Sequence, residues 1–206
     1  MTEKNMGDQA SEWSVGLVSW ILADGNYGPF SVAQIAEFAL TFYSKDGLQI
    51  SPVREKSARL VSECLYEVVA EVLYAANGCW VIDFGVLAFQ DQSPPAGISA
   101  GSFVRGELSL TIDPFFYFER LWKLPNVPAL IYTWRLEELA LNTTPWIEVV
   151  KNGRVVNVLD ETRVSYEKVT STSDRSLSGL QGDSWVFRCS RLNVPPKHEI
   201  SKRRWA

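Results

Sequence analysis

The clearest pattern in the chain runs from Tyr66 to Phe89 and has a period of two. Tyr66, Val68, Ala70, Val72 and Tyr74 share one face of a first strand, because successive side chains alternate across a strand. Trp80, Ile82, Phe84, Val86 and Ala88 share one face of a second. Between them Ala76-Asn77-Gly78 predicts a hairpin turn. A two-residue Asn-Gly loop pairs Tyr74 with Val81 and sets an apolar face beside Asp83. A three-residue loop pairs Tyr74 with Trp80, Val72 with Ile82 and Ala70 with Phe84, so the register predicts the longer loop.

Similar alternation recurs. Val104, Gly106, Leu108, Leu110 and Ile112 face one way and Arg105, Glu107, Ser109, Thr111 and Asp113 the other. The stretch Glu37–Phe42 repeats the pattern of Glu107–Ile112, which favours a strand there over a helix and raises an internal duplication. Trp13–Leu22, Leu130–Leu136 and Trp185–Leu192 read as further strands, and Trp146–Val150 with Val155–Leu159 as a hairpin around Asn152-Gly153. Ser51-Pro52 predicts a short helix as far as Cys64. Asp113-Pro114 predicts another, running to about Lys123, with Phe115, Phe118 and Trp122 on one face. Thr170–Asp183, rich in Ser, Gly, Thr and Asp, reads as a long loop.

The fold class expected is therefore mainly β: an antiparallel barrel or sandwich with one or two short helices, internal duplication of a barrel remaining open. Residues 13–194 are expected to form one domain, and a duplication, if present, would place related halves at about 13–75 and 76–194. Residues 1–12 read as a flexible N-terminus and 195–206 as a basic flexible tail. The 206 residues suffice to bury a sizeable core.

Charge alters this picture at one place. From Arg188 to Ala206 there are six Lys or Arg and one Glu, which leaves −9 on the remainder. Lys202, Arg203 and Arg204 could steer an acidic partner. The acidic body disfavours nucleic acid, because phosphate contacts need a basic surface. No apolar run reaches membrane-spanning length and no signal peptide is visible, so a cytoplasmic location without membrane contact is expected. Cys64, Cys79 and Cys189 read as free thiols rather than a disulfide framework.

Candidate chemistry is sparse. The single histidine, His198, falls in the tail, and no metal site, cofactor fingerprint or phosphate-cradling loop is written in the chain. Asp83 is the one acid inside a very apolar run, placed across from Glu71; under cover it would gain a raised pKa, and facing water it is an ordinary solvated residue. Phe115-Phe116-Tyr117-Phe118 and Trp122 put more aromatic surface on a short helix than one face can hide. Phe116, Tyr117 and Trp122 are thus candidate partner-binding residues, against the alternative of a helix plugging a barrel end. The function expected is a non-catalytic cytosolic protein-binding module, such as an inhibitor, immunity-type factor or assembly partner. A single-stranded nucleic-acid-binding barrel, a small-molecule binder and a carboxylate enzyme centred on Asp83 are the alternatives.

Overall fold

The computed structural model describes residues 12–173 and 184–200. In chain order, β1 (Glu12–Val18) leads into the short α1 (Ser19–Ala23), and β2 (Ile35–Phe38) is separated from β3 (Leu40–Tyr43) only by Ala39. Then come β4 (Gln49–Ile50), β5 (Ser57–Ser62), β6 (Leu65–Ala76), β7 (Cys79–Asp83), β8 (Leu87–Gln90) and β9 (Phe103–Ile112). After α2 (Phe116–Glu119) the chain continues through β10 (Tyr132–Asn142), β11 (Trp146–Lys151), β12 (Arg154–Leu159), β13 (Tyr166–Val169) and β14 (Ser184–Arg191). The protein is mainly β, with a closed five-stranded barrel.

That barrel is β3-β8-β7-β6-β9, closed because β9 pairs with both β3 and β6. Its interior is filled by alternate residues of each strand: Phe42, Val68, Val72, Trp80, Ile82, Ala88, Val104 and Leu108 are all buried in one cluster. The inward faces expected for β7, β8 and β9 are the observed ones, because each strand can hide only every second side chain.

The hairpin closes differently from the expectation. Asn77 (φ 54°) and Gly78 (φ 72°) form a two-residue turn, with Ala76 opposite Cys79 and Tyr74 opposite Val81. Two consecutive left-handed residues match the twist of the flanking strands, and Asn-Gly is the pair that adopts them most readily. A β-bulge between Val72 and Tyr74 then restores the other register, so Val72 meets Ile82 and Glu71 meets Asp83. The bulge also reverses facing. Val72 points into the barrel, whereas Tyr74 joins Cys79 and Val81 in a second cluster outside it.

A second set of strands shares two members with the barrel. From β9 the pairing runs to β1, β14, β10 and β2, and β2 continues into β3, which returns to β9. Phe38 stacks on Trp134 at 5.4 Å, and Phe30 lies edge-on to both Phe38 and Phe187, which fills the space between these strands. The echoed segments are neighbours: Leu40 pairs with Ile112 and Phe42 with Leu110. The two sets thus interlock through β3 and β9 and do not follow one another along the chain.

Three expectations are corrected. The segment 51–64 is not helical; Ser57–Ser62 is an exposed strand paired with β6, with Glu63 (φ 35°) in the turn. The helix after Asp113 ends at Glu119, and a separate 3-10 turn covers Leu121–Lys123. Phe115, Phe118 and Trp122 therefore share no single face, and the helix covers the outside of the barrel rather than its end. Finally, residues 195–200 are docked and not a free tail. Ile131 and Lys197 exchange backbone hydrogen bonds of 3.0 and 2.9 Å, Lys197 Nζ lies 2.6 Å from Glu37, and Ile200 packs on both clusters. Lys202, Arg203 and Arg204, like residues 1–11 and most of the loop at 170–183, lie outside the described residues.

Candidate functional site

A patch of aromatic rings forms where β1 and β9 leave the sheet. Gly16 and Thr111 are parallel partners, so both strands run out at the same end. Glycine eases the approach there, because a Cβ on residue 16 would meet Thr111 Cγ2 at 3.2 Å and Cys64 Sγ at 3.3 Å and push both side chains back by a few tenths of an ångström. Trp20 lies four residues beyond Gly16 and Phe115 four beyond Thr111, and the equal offsets bring the rings together. Their centroids are 6.1 Å apart in an edge-on arrangement, and Phe116 follows Phe115 at 4.9 Å. Trp20 is 50% exposed, an unusual cost for the largest side chain.

The start of α2 is held by Asp113, which is fully buried. Its two carboxylate oxygens accept the backbone N–H groups of Phe116 and Tyr117, each at 3.0 Å. Burial pushes the Asp113 carboxyl up to about 7, against the opposing pull of those N–H groups. Asp113 thus holds the first turn as expected of a capping acid, but from two residues ahead of the N-cap, which is Phe115, and Pro114 lies outside the helix.

The other sequence candidates fall elsewhere. Tyr117 is fully buried and lies outside any surface patch; its hydroxyl donates to Pro128 O at 2.7 Å and accepts from Leu130 N. With that proton on Pro128, the 2.7 Å contact with His198 Nδ1 requires the imidazole to donate. His198 is therefore a latch for the terminal segment. Trp122 is half-buried, with Lys123 Nζ 5.8 Å from its ring centroid. Phe116 is brought together with Phe115 and Trp20, and sequence reasoning missed Trp20 because nothing local reveals a parallel neighbour.

Asp83 faces outward from the barrel, opposite Glu71. Lys56 Nζ donates to its Oδ2 at 2.7 Å and Gly85 N to its Oδ1 at 2.9 Å. This hydrogen-bonded pair lifts the Lys56 pKa. Burial pushes the Cys79 thiol up to about 12 and raises Cys64 and Cys189 as well, so the thiolate, the nucleophilic form, is disfavoured at all three.

A groove of about 1020 Å³ crosses the outer face of β5, β6 and β9, walled by the β3–β4 connection. Arg59 is bonded to Glu67, Glu67 stands directly opposite Glu107, and Arg105 stands opposite Val69. Lys45, Arg59 and Arg105 balance Asp46, Glu67 and Glu107, so the groove has no net sign.

Among the described residues no group of three His, Cys, Asp or Glu is placed to hold a metal ion, and no helix is long and apolar enough to cross a membrane. Comparison of the chain with protein-family models, curated proteins and solved structures gives no match.

Proposed function

We propose that the protein is a non-catalytic protein-binding module that engages its partner through the Trp20–Phe115–Phe116 patch. The observation that carries this reading is the half-exposed Trp20 in edge contact with Phe115 at the end of a rigid sheet. Aromatic rings present large contact area at little entropic cost and are enriched among residues that dominate binding energy. Support also comes from Asp83, whose carboxylate oxygens are both engaged, and from thiols that burial keeps protonated. The mixed charge of the groove offers phosphates no basic track.

Affinity capture with the purified chain, read by quantitative mass spectrometry, is the test. A discrete protein partner is expected. Trp20→Ala and Phe116→Ala should each weaken its binding by about 1–3 kcal/mol in calorimetry, while Asp83→Asn leaves it intact. If oligonucleotide or a small molecule co-purifies instead, and those aromatic substitutions are neutral, the reading is wrong.

A further inference from the structure

The β11–β12 hairpin stands apart from the main sheet. It extends the β10–β13 pair, from which Thr143–Pro145 and Asp160–Ser165 separate it, and among the described residues it pairs with no third strand. Asn152 (φ 51°) and Gly153 (φ 74°) close its tip. Cross-strand pairing sorts its side chains into two faces. Ile147, Val149, Val156 and Val158 lie on one, and Trp146, Val150, Val155 and Leu159 on the other. Val150 and Val155 are 73% and 65% exposed. An isolated two-stranded ribbon is marginal in water, and one apolar on both faces is costlier still.

We infer that this hairpin is a self-association arm, in which β12 pairs antiparallel with β12 of a second copy of the chain to form a four-stranded sheet. The order of residues along β12 selects that occupant. A two-fold axis through Asn157 sets Asn157 against itself, Val156 against Val158 and Val155 against Leu159, so amide meets amide and aliphatic meets aliphatic. The same register brings Arg154 within one position of the exposed Glu161 of the other copy, twice over, while Asp160 is buried and bonded to Arg163 and Thr162 of its own chain. Arg154 makes no ion pair among the described residues, and Lys151 stands beside it across the tip. The arm is thus positive at its tip and carries Glu161 at its base, beside an Asp160 that Arg163 neutralises, and antiparallel pairing brings the tip to that Glu161. The equivalent pairing through β11 about Glu148 is poorer, since it sets two glutamates against each other.

Sedimentation across a concentration series is the first test: the intact chain should pass from monomer to dimer. Arg154→Glu sets a like charge near Glu161 of the other copy and should raise the dissociation constant about tenfold, with circular dichroism unchanged. Cysteine cross-linking reads the register directly. In Asn157→Cys the two Cα atoms lie about 4.5–5.5 Å apart, within disulfide reach, whereas in Val155→Cys they lie about 14 Å apart. Mild oxidation should therefore link the first into a covalent dimer and leave the second at the background set by the native thiols. A chain that stays monomeric throughout, or a residue-157 variant that links no faster than the residue-155 variant, would overturn the proposal.

Discussion

Asp113 shows how one side chain couples packing to pH. It is enclosed by the start of α2, and burial outweighs two hydrogen bonds from backbone N–H groups. Its carboxyl therefore binds a proton more tightly in the folded state, at about 7, than at its ordinary value of 3.8. The folded state gains from this proton fully below pH 3.8, and the gain is lost as pH rises through 7. Across that window stability should decline, by roughly 4 kcal/mol at most. Asparagine cannot ionise but keeps an acceptor oxygen, so Asp113→Asn should flatten the decline in denaturant titrations run at several pH values. An equal slope in the variant would assign the pH dependence to other groups.

At the scale of the element, the bulge at Leu73 reconciles two local demands. Asn77-Gly78 prefers a two-residue turn, while the alternation of β6 and β7 requires Val72 opposite Ile82. One extra residue satisfies both, and Leu73, 40% exposed, is that residue. Deleting it would leave Val72–Ile82 and Tyr74–Val81 as consecutive pairs with their faces unchanged. Deleting Val72 or Tyr74 instead moves Leu73 into the place of valine in the barrel or of tyrosine in the outer cluster. In chemical denaturation the Leu73 deletion should lie closer to the wild type than either of the others, in which the misfitted leucine costs about 1–3 kcal/mol. If all three deletions are equally damaging, the strand curvature supplied by the bulge matters more than the register it restores.

At the scale of the whole molecule, the chain returns to lock its own two strand sets. Residues 197–200 bond to Ile131 ahead of β10, pair with Glu37 in β2, and reach His198 onto Tyr117. Deleting residues 197–206 removes two backbone hydrogen bonds, an ion pair and the packing of Ile200 together. At about 1 kcal/mol for each backbone bond, the thermal midpoint should fall by about 4–8 °C. Calorimetry showing no change would return this segment to the status of a loose end.

The sequence pattern by itself determined that the protein is mainly β, which residues of β7, β8 and β9 fill the barrel, and that Asn152-Gly153 caps a hairpin, whereas the bulge in β6 turned Tyr74 outward. These follow from local rules, since a strand has two faces and a turn its own φ requirements. Proline at 52 and serine at 51 suggested a helix, yet pairing with β6 makes 57–62 a strand, because a ladder partner outweighs weak end signals. Phe116 was legible as a candidate, but Trp20, which lies against its neighbour Phe115, was not. Only the parallel contact of Gly16 with Thr111, across some ninety-five residues of chain, brings those rings together. Tertiary structure also decided that Tyr117 is buried, that Asp83 is held by Lys56, and that His198 latches the end of the described chain. Each depends on which strands become neighbours, and pairing over long separations leaves no periodic trace in the sequence.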